Sequence, residues 1–203
     1  MIKRILKELR EHAPFTLFGA FTGILIMTVS YGIPEGVAYK LFYVFHPMHV
    51  VLSALVTAAF YRNYKADKCN IFALLIIGLT GSVGIATISD SIIPYIGERL
   101  LNMPHAEAHI GFIEEWKIVI PLALAGTVTA YFWPRTKFPH AGHVLISTWA
   151  SLFHVLMAKG SPLGLAASAA VFLFLFIAVW APCCISDIVY PLLFVGKDAG
   201  KYR

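Results

Sequence analysis

The stretches HPMHVVLS at 46–53 and HAGHVLIS at 140–147 decide the reading of this chain. Each opens with two histidines three residues apart, runs through apolar residues and ends on a serine. Two further correspondences flank them. His12-Ala-Pro-Phe15 matches His109-Ile-Gly-Phe112, and Ile88-Ser89-Asp90 with Pro94 matches Ile185-Ser186-Asp187 with Pro191. In chain order the offsets are 97, 94 and 97, so only short connections changed length. Six of the eight histidines fall into matched pairs. Generic helix similarity would align Leu and Ile, not the rarest polar residues. The chain reads as two copies of one unit, over residues 12–101 and 109–197.

Composition says what kind of unit. Of 203 residues 59% are hydrophobic and 13% charged, more apolar than a soluble domain of this size needs. Several runs approach the ~20 apolar residues that cross a ~30 Å hydrocarbon core. No polar segment is long enough for a separate soluble domain, so 1–203 is one membrane domain. Helices are expected over 15–33, 45–61, 71–94, 112–133, 139–158 and 163–194. Residues 1–11 read as a basic amphipathic lead-in lying on the inner surface. Residues 34–44 read as a re-entrant or interfacial stretch. An odd number of spans per copy forces the second copy to enter from the opposite side. The expected fold is an all-α integral membrane protein with six transmembrane helices, as two inverted-topology three-helix repeats. That plan recurs in secondary transporters.

Lys and Arg set the orientation. Lys3, Arg4, Lys7 and Arg10 precede the first span; Arg62, Lys65 and Lys68 follow the second; Arg135 and Lys137 follow the fourth; Lys197, Lys201 and Arg203 follow the last. The alternate connections carry fewer. Both termini are expected on the cytoplasmic side of an inner or plasma membrane, with 97–115 outside. The net charge of +5 sits at the ends and in short loops. It suits an anionic leaflet, and no basic stripe with interleaved aromatics invites nucleic acid. The expected partners are the bilayer and a metal cation; a homo-oligomer is left open.

Histidines at i and i+3 share a helix face, so both imidazoles reach one ion. Pro47 and Pro139 beside them read as first-turn prolines, placing each pair near a membrane surface. With the inverted topology, His46, His49, Asp90 and His109 gather near the outer face, and His12, His140, His143 and Asp187 near the inner one. Three imidazoles and a carboxylate suit a divalent transition metal: Zn²⁺ first, with Fe²⁺, Mn²⁺, Co²⁺ or Ni²⁺ if waters complete a larger shell. Ser89 and Ser186 are candidate supporting donors. An Asp inside a membrane helix costs about 2.5–3.5 kcal/mol on insertion scales, which a bound cation offsets. His105, Glu107, Glu114, Glu115 and His154 enrich the outer side alone, as cation collectors or proton-coupled partners. The cysteines are Cys69, Cys183 and Cys184, without a CxxC motif. The vicinal pair could take a soft metal, but small buried residues are the plainer reading.

The leading functional expectation is a transition-metal transporter or channel with two pseudo-symmetric His/Asp sites near opposite faces. The alternative is a membrane metalloenzyme that hydrolyses a lipid or small amphiphile, with Glu114 or Glu115 as general base. Structural metal staples and haem ligation are weaker readings. No GxSxG, P-loop, GxGxxG, HExxH or EF-hand occurs.

Overall fold

A computed structural model describes residues 2–29, 33–65, 68–135, 137–160 and 163–195. The described residues are helical and contain no strand. The long helices are α1 (Ile2–Val29), α2 (Glu35–Lys65), α3 (Ile71–Leu100), α4 (Trp116–Phe132), α5 (Lys137–Ala158) and α6 (Leu165–Val195). A single turn, Gly111–Glu114, precedes α4. By length and apolarity α2, α3 and α6 can each cross a membrane; α4 and the apolar part of α5 are shorter.

Local chemistry explains the elements and corrects two expectations. The lead-in of residues 1–11 is not separate: α1 runs from Ile2 through Pro14 without a break. Its Ile, Lys, Arg, Leu and Glu residues are good helix formers, and nothing among them stops the helix. Residues 35–44 are not re-entrant but form the first turns of α2. Pro34 lies just before that helix, where the ring costs nothing, and Glu35 in the first turn suits the helix dipole. Arg62 and Lys65 suit its other end. Asn70 caps α3, its Oδ1 accepting from the N–H of Phe72 at 2.9 Å.

Both α3 and α6 widen into one π turn, at Ile88–Ile92 and Ile185–Val189. A proline stands behind each. Pro94 and Pro191 have no N–H to give to the carbonyls of residues 90 and 187, so the ladder cannot continue in α register there. In the first turn the N–H of Ile93 bonds to the carbonyl of Ile88, five residues back. Widening lets consecutive residues face inward, which a 3.6-residue period forbids. Ser89, Asp90 and Ser91 are all buried, as are Ser186, Asp187 and Ile188.

Two central helices, α2 and α5, run antiparallel: Phe42 meets His154, Phe45 meets Trp149, and Gly142 lies against Leu52. Around them the packing is exchanged. α1 rests on α5 and α6, whereas α4 rests on α2 and α3. The polarity is the reverse of a water-soluble bundle. Phe18, Phe21, Phe72, Ile76, Phe132 and Leu165 are exposed, while His46, His49, Asp90, Glu98, His143, His154 and Asp187 are buried. Lipid tolerates that outward face; buried polar groups then cluster where they can satisfy one another.

Gly126 marks the closest approach. A Cβ there would lie well under 3.0 Å from the backbone oxygen of Val51. Backbone cannot step aside as a side chain does, so Gly126→Ala must separate α4 from α2. We expect a fall in the detergent-solution melting temperature equivalent to about 1–3 kcal/mol, read by thermal unfolding. An unchanged melting temperature would contradict this packing.

Candidate metal centre

The π turn of α3 aims Asp90 at α2. Its Oδ2 accepts from His46 Nδ1 at 3.0 Å and from His49 Nδ1 at 2.7 Å. Its Oδ1 accepts from Ser89 Oγ at 2.7 Å and Ser147 Oγ at 2.8 Å. Four donors fill the carboxylate's acceptor sites, so an ionised Asp90 is satisfied without water. It also fixes the proton on each Nδ1, leaving each Nε2 as the ligand-type nitrogen.

His49 Nε2 lies 4.0 Å from Cys183 Sγ on α6. The His49 ring stacks on His143 of α5, with centroids 5.6 Å apart and planes 4° from parallel. His143 in turn has Nε2 3.3 Å from Asp187 Oδ2. His49, His143 and Cys183 are buried, and one ligand atom of each lies within 4.8 Å of the others. This group could hold a metal ion. An ion at about 2.0–2.3 Å from each donor would bring N and S atoms to roughly 3.3–3.6 Å, so the group need contract by only about 1 Å. The Asp90 carboxylate bonded behind His49 is the arrangement that orients a metal-bound histidine, and Asp187 lies at ion-pair distance from His143.

Serines knit the halves together at matching positions. Ser53 Oγ lies 3.2 Å from Ser186 Oγ, and Ser147 Oγ lies 3.4 Å from Ser89 Oγ. Thr57 donates to the Ser186 carbonyl at 3.3 Å, and Ser151 to the Ser89 carbonyl at 3.0 Å. Each contact is the other's counterpart under the 94- and 97-residue offsets.

The expected sites are therefore rearranged. The sets led by His49 and His143 do not lie apart at opposite faces; they adjoin. The cause is the early start of α2. Glu35 rather than residue 45 opens the helix, so about 15 Å of helix precedes the HPMH segment. Pro47 accordingly sits inside α2, not in its first turn. His46, His49 and Asp90 converge, but His109 does not join them. It packs edge-on to Tyr39 at 5.6 Å and lies 3.5 Å from Glu114 Oε2. Phe42, stacked on His46 and in contact with His154, separates the two levels. Glu114 accepts from Tyr43 and from the Ile110 N–H and belongs to the level of His109 too. Glu115 is half-buried at the break before α4, and His105 is exposed beside Gly160. The side chains of His12, His140 and Cys184 lie outside the described residues.

Cys183 is the candidate ligand the sequence reading passed over. Its only cue was the vicinal pair, and its counterpart in the first copy is Ala86, so no repetition drew attention to it. Cys69 is elsewhere; burial pushes its thiol up, with Arg62 opposing.

Compared with known proteins, the chain matches no family model, no curated protein and no solved structure. Its chemistry rests on the side chains alone.

Proposed function

We propose that this protein is a transporter of transition-metal cations in a cell membrane, Zn²⁺ first among them. The observation that carries the reading is the buried His49–His143–Cys183 group, each imidazole backed by an aspartate from a π turn. Two imidazoles and a thiol favour zinc over hard cations such as Mg²⁺ or Ca²⁺. Three donors leave a coordination position free, so an ion can enter and leave without dismantling a closed shell. The antiparallel central pair supports an inverted pair of three-helix repeats, since a two-fold axis relating α2 to α5 must lie across the helices. The basic connections support cytoplasmic termini. In this reading the two half-sites are fused at the centre, and the ion reaches them from either side in turn. The hydrolase alternative gains nothing from the geometry, because Glu114 is engaged by Tyr43 and the Ile110 N–H and neither it nor Glu115 belongs to the His49–His143–Cys183 group.

The test is metal flux and stoichiometry together. Purified protein is expected to bind about one Zn²⁺ per chain, and proteoliposomes to admit Zn²⁺ faster than empty vesicles. Chelation should leave the circular dichroism of the helices unchanged, since a cargo ion does not hold the fold. Protein that stays metal-free in excess Zn²⁺ would refute the reading. Helices that melt on chelation would instead identify a structural metal.

A further inference from the structure

Outside the metal centre, Glu98 and His154 form a second buried pair. His154 Nδ1 lies 2.7 Å from Glu98 Oε1, and both side chains are at most 1% exposed. Glu98 Oε2 and His154 Nε2 have no hydrogen-bond partner among the described residues. The pair joins the outer end of α3 to the outer part of α5. Its counterparts under the repeat offsets are Val195 and Phe60, both apolar, so the other end of the bundle lacks it. On one side the His109 ring lies 5.9 Å from His154, next to Glu114. On the other, Phe42 separates it from His46. The rest of what packs here is uncharged: α6 brings Phe174 against Gly97, and residues 165–182 hold no titratable group. Arg99 is exposed, and the charged residues of α1 fall within its first 11 positions.

We propose that Glu98–His154 is the proton-binding site that couples cation movement to protons, an inference that rests on the transport reading. With one proton bound, the pair is neutral overall, whether as acid and imidazole or as carboxylate and imidazolium. Without it, one negative charge is left in an apolar wall. Such a charge is tolerated when a cation occupies the bundle and disfavoured when it does not. Arrival of the metal from the outer side therefore releases one proton to that side, past His109 and Glu114, and its departure inward takes one proton up from the inner side. The linkage is reciprocal: a proton gradient moves the metal, and a metal gradient moves protons. Because only one end carries the pair, the two directions of transport are not equivalent.

The experiment uses proteoliposomes of the full chain with a pH dye and a zinc dye inside. The wild type should show proton movement opposite to Zn²⁺. Glu98→Gln and His154→Gln should each reduce zinc-driven proton movement to the level of empty vesicles while zinc–zinc exchange persists. Proton movement at wild-type level in both variants overturns the proposal and leaves the transport reading standing. So does a wild type that moves Zn²⁺ without protons, which needs no variant to fold. A wild type that neither binds nor moves Zn²⁺ sinks the transport reading and this proposal with it.

Discussion

Asp90→Ala is expected to abolish metal-dependent flux and to destabilise the protein severely. Four donors, from His46, His49, Ser89 and Ser147, lose their acceptor at once. Ser89 still has the Ala86 carbonyl and Ser147 the Ser89 hydroxyl, but the two imidazole N–H groups are orphaned at about 1–3 kcal/mol each, a large part of the ~5–15 kcal/mol by which a whole domain is stable. Stability and function must therefore be separated. Asp90→Asn keeps the shape, but its NH₂ now faces donors and its charge is gone. The imidazole protons are no longer held on Nδ1, and Zn²⁺ affinity should fall about 10–100-fold, the usual effect of losing a carboxylate behind a metal-bound histidine. Thermal unfolding and zinc titration of both variants check this. Wild-type affinity in Asp90→Asn would remove Asp90 from any role at the site.

Cys183→Ser should cost still more affinity, because it removes a ligand rather than a ligand's support. The fall should exceed the roughly 10–100-fold expected for an outer partner. The change also alters selectivity, since a hydroxyl is a harder donor than a thiolate. Co²⁺ bound to the wild type should show sulfur-to-metal charge-transfer absorption in the near ultraviolet, and the serine variant should lack it. His143→Ala provides the control: affinity falls, yet the sulfur band survives with whatever Co²⁺ still binds. If the wild type binds Co²⁺ without the band, Cys183 is not a ligand and the metal centre must be sought elsewhere.

The recurring pattern was legible because it lies in rare residues. Serines at fixed offsets turned out to make equivalent contacts, Ser53 with Ser186 and Ser147 with Ser89. Depth in the bundle was not legible. Pro34 and Gly36 look like breakers, yet Gly36 is simply tolerated in the opening turn, so α2 starts early and carries His46 and His49 inward. The partner sets could then be named but not placed. His109 was grouped with His46, His49 and Asp90, yet it lies at another level, because a single aromatic ring, that of Phe42, suffices to keep the layers separate. Glu98 was hidden by its neighbours. Beside Arg99 and ahead of a loop it reads as surface, and only packing reveals that it faces His154. Asp90 could be picked out as a membrane carboxylate, but whether it grips an ion or braces imidazoles depends on donor directions that spacing does not encode.

The exchanged packing of α1 and α4 governs how the chain is made. The helices α1 rests on begin at Lys137 and Leu165, more than a hundred residues after α1 ends at Val29, so most of its packing surface is made long after α1 itself. The first three helices therefore do not complete their packing as a unit before α5 and α6 are made. Folding is thus deferred until α5 and α6 exist, and a chain cut before Lys137 strands α1 without its main packing surface.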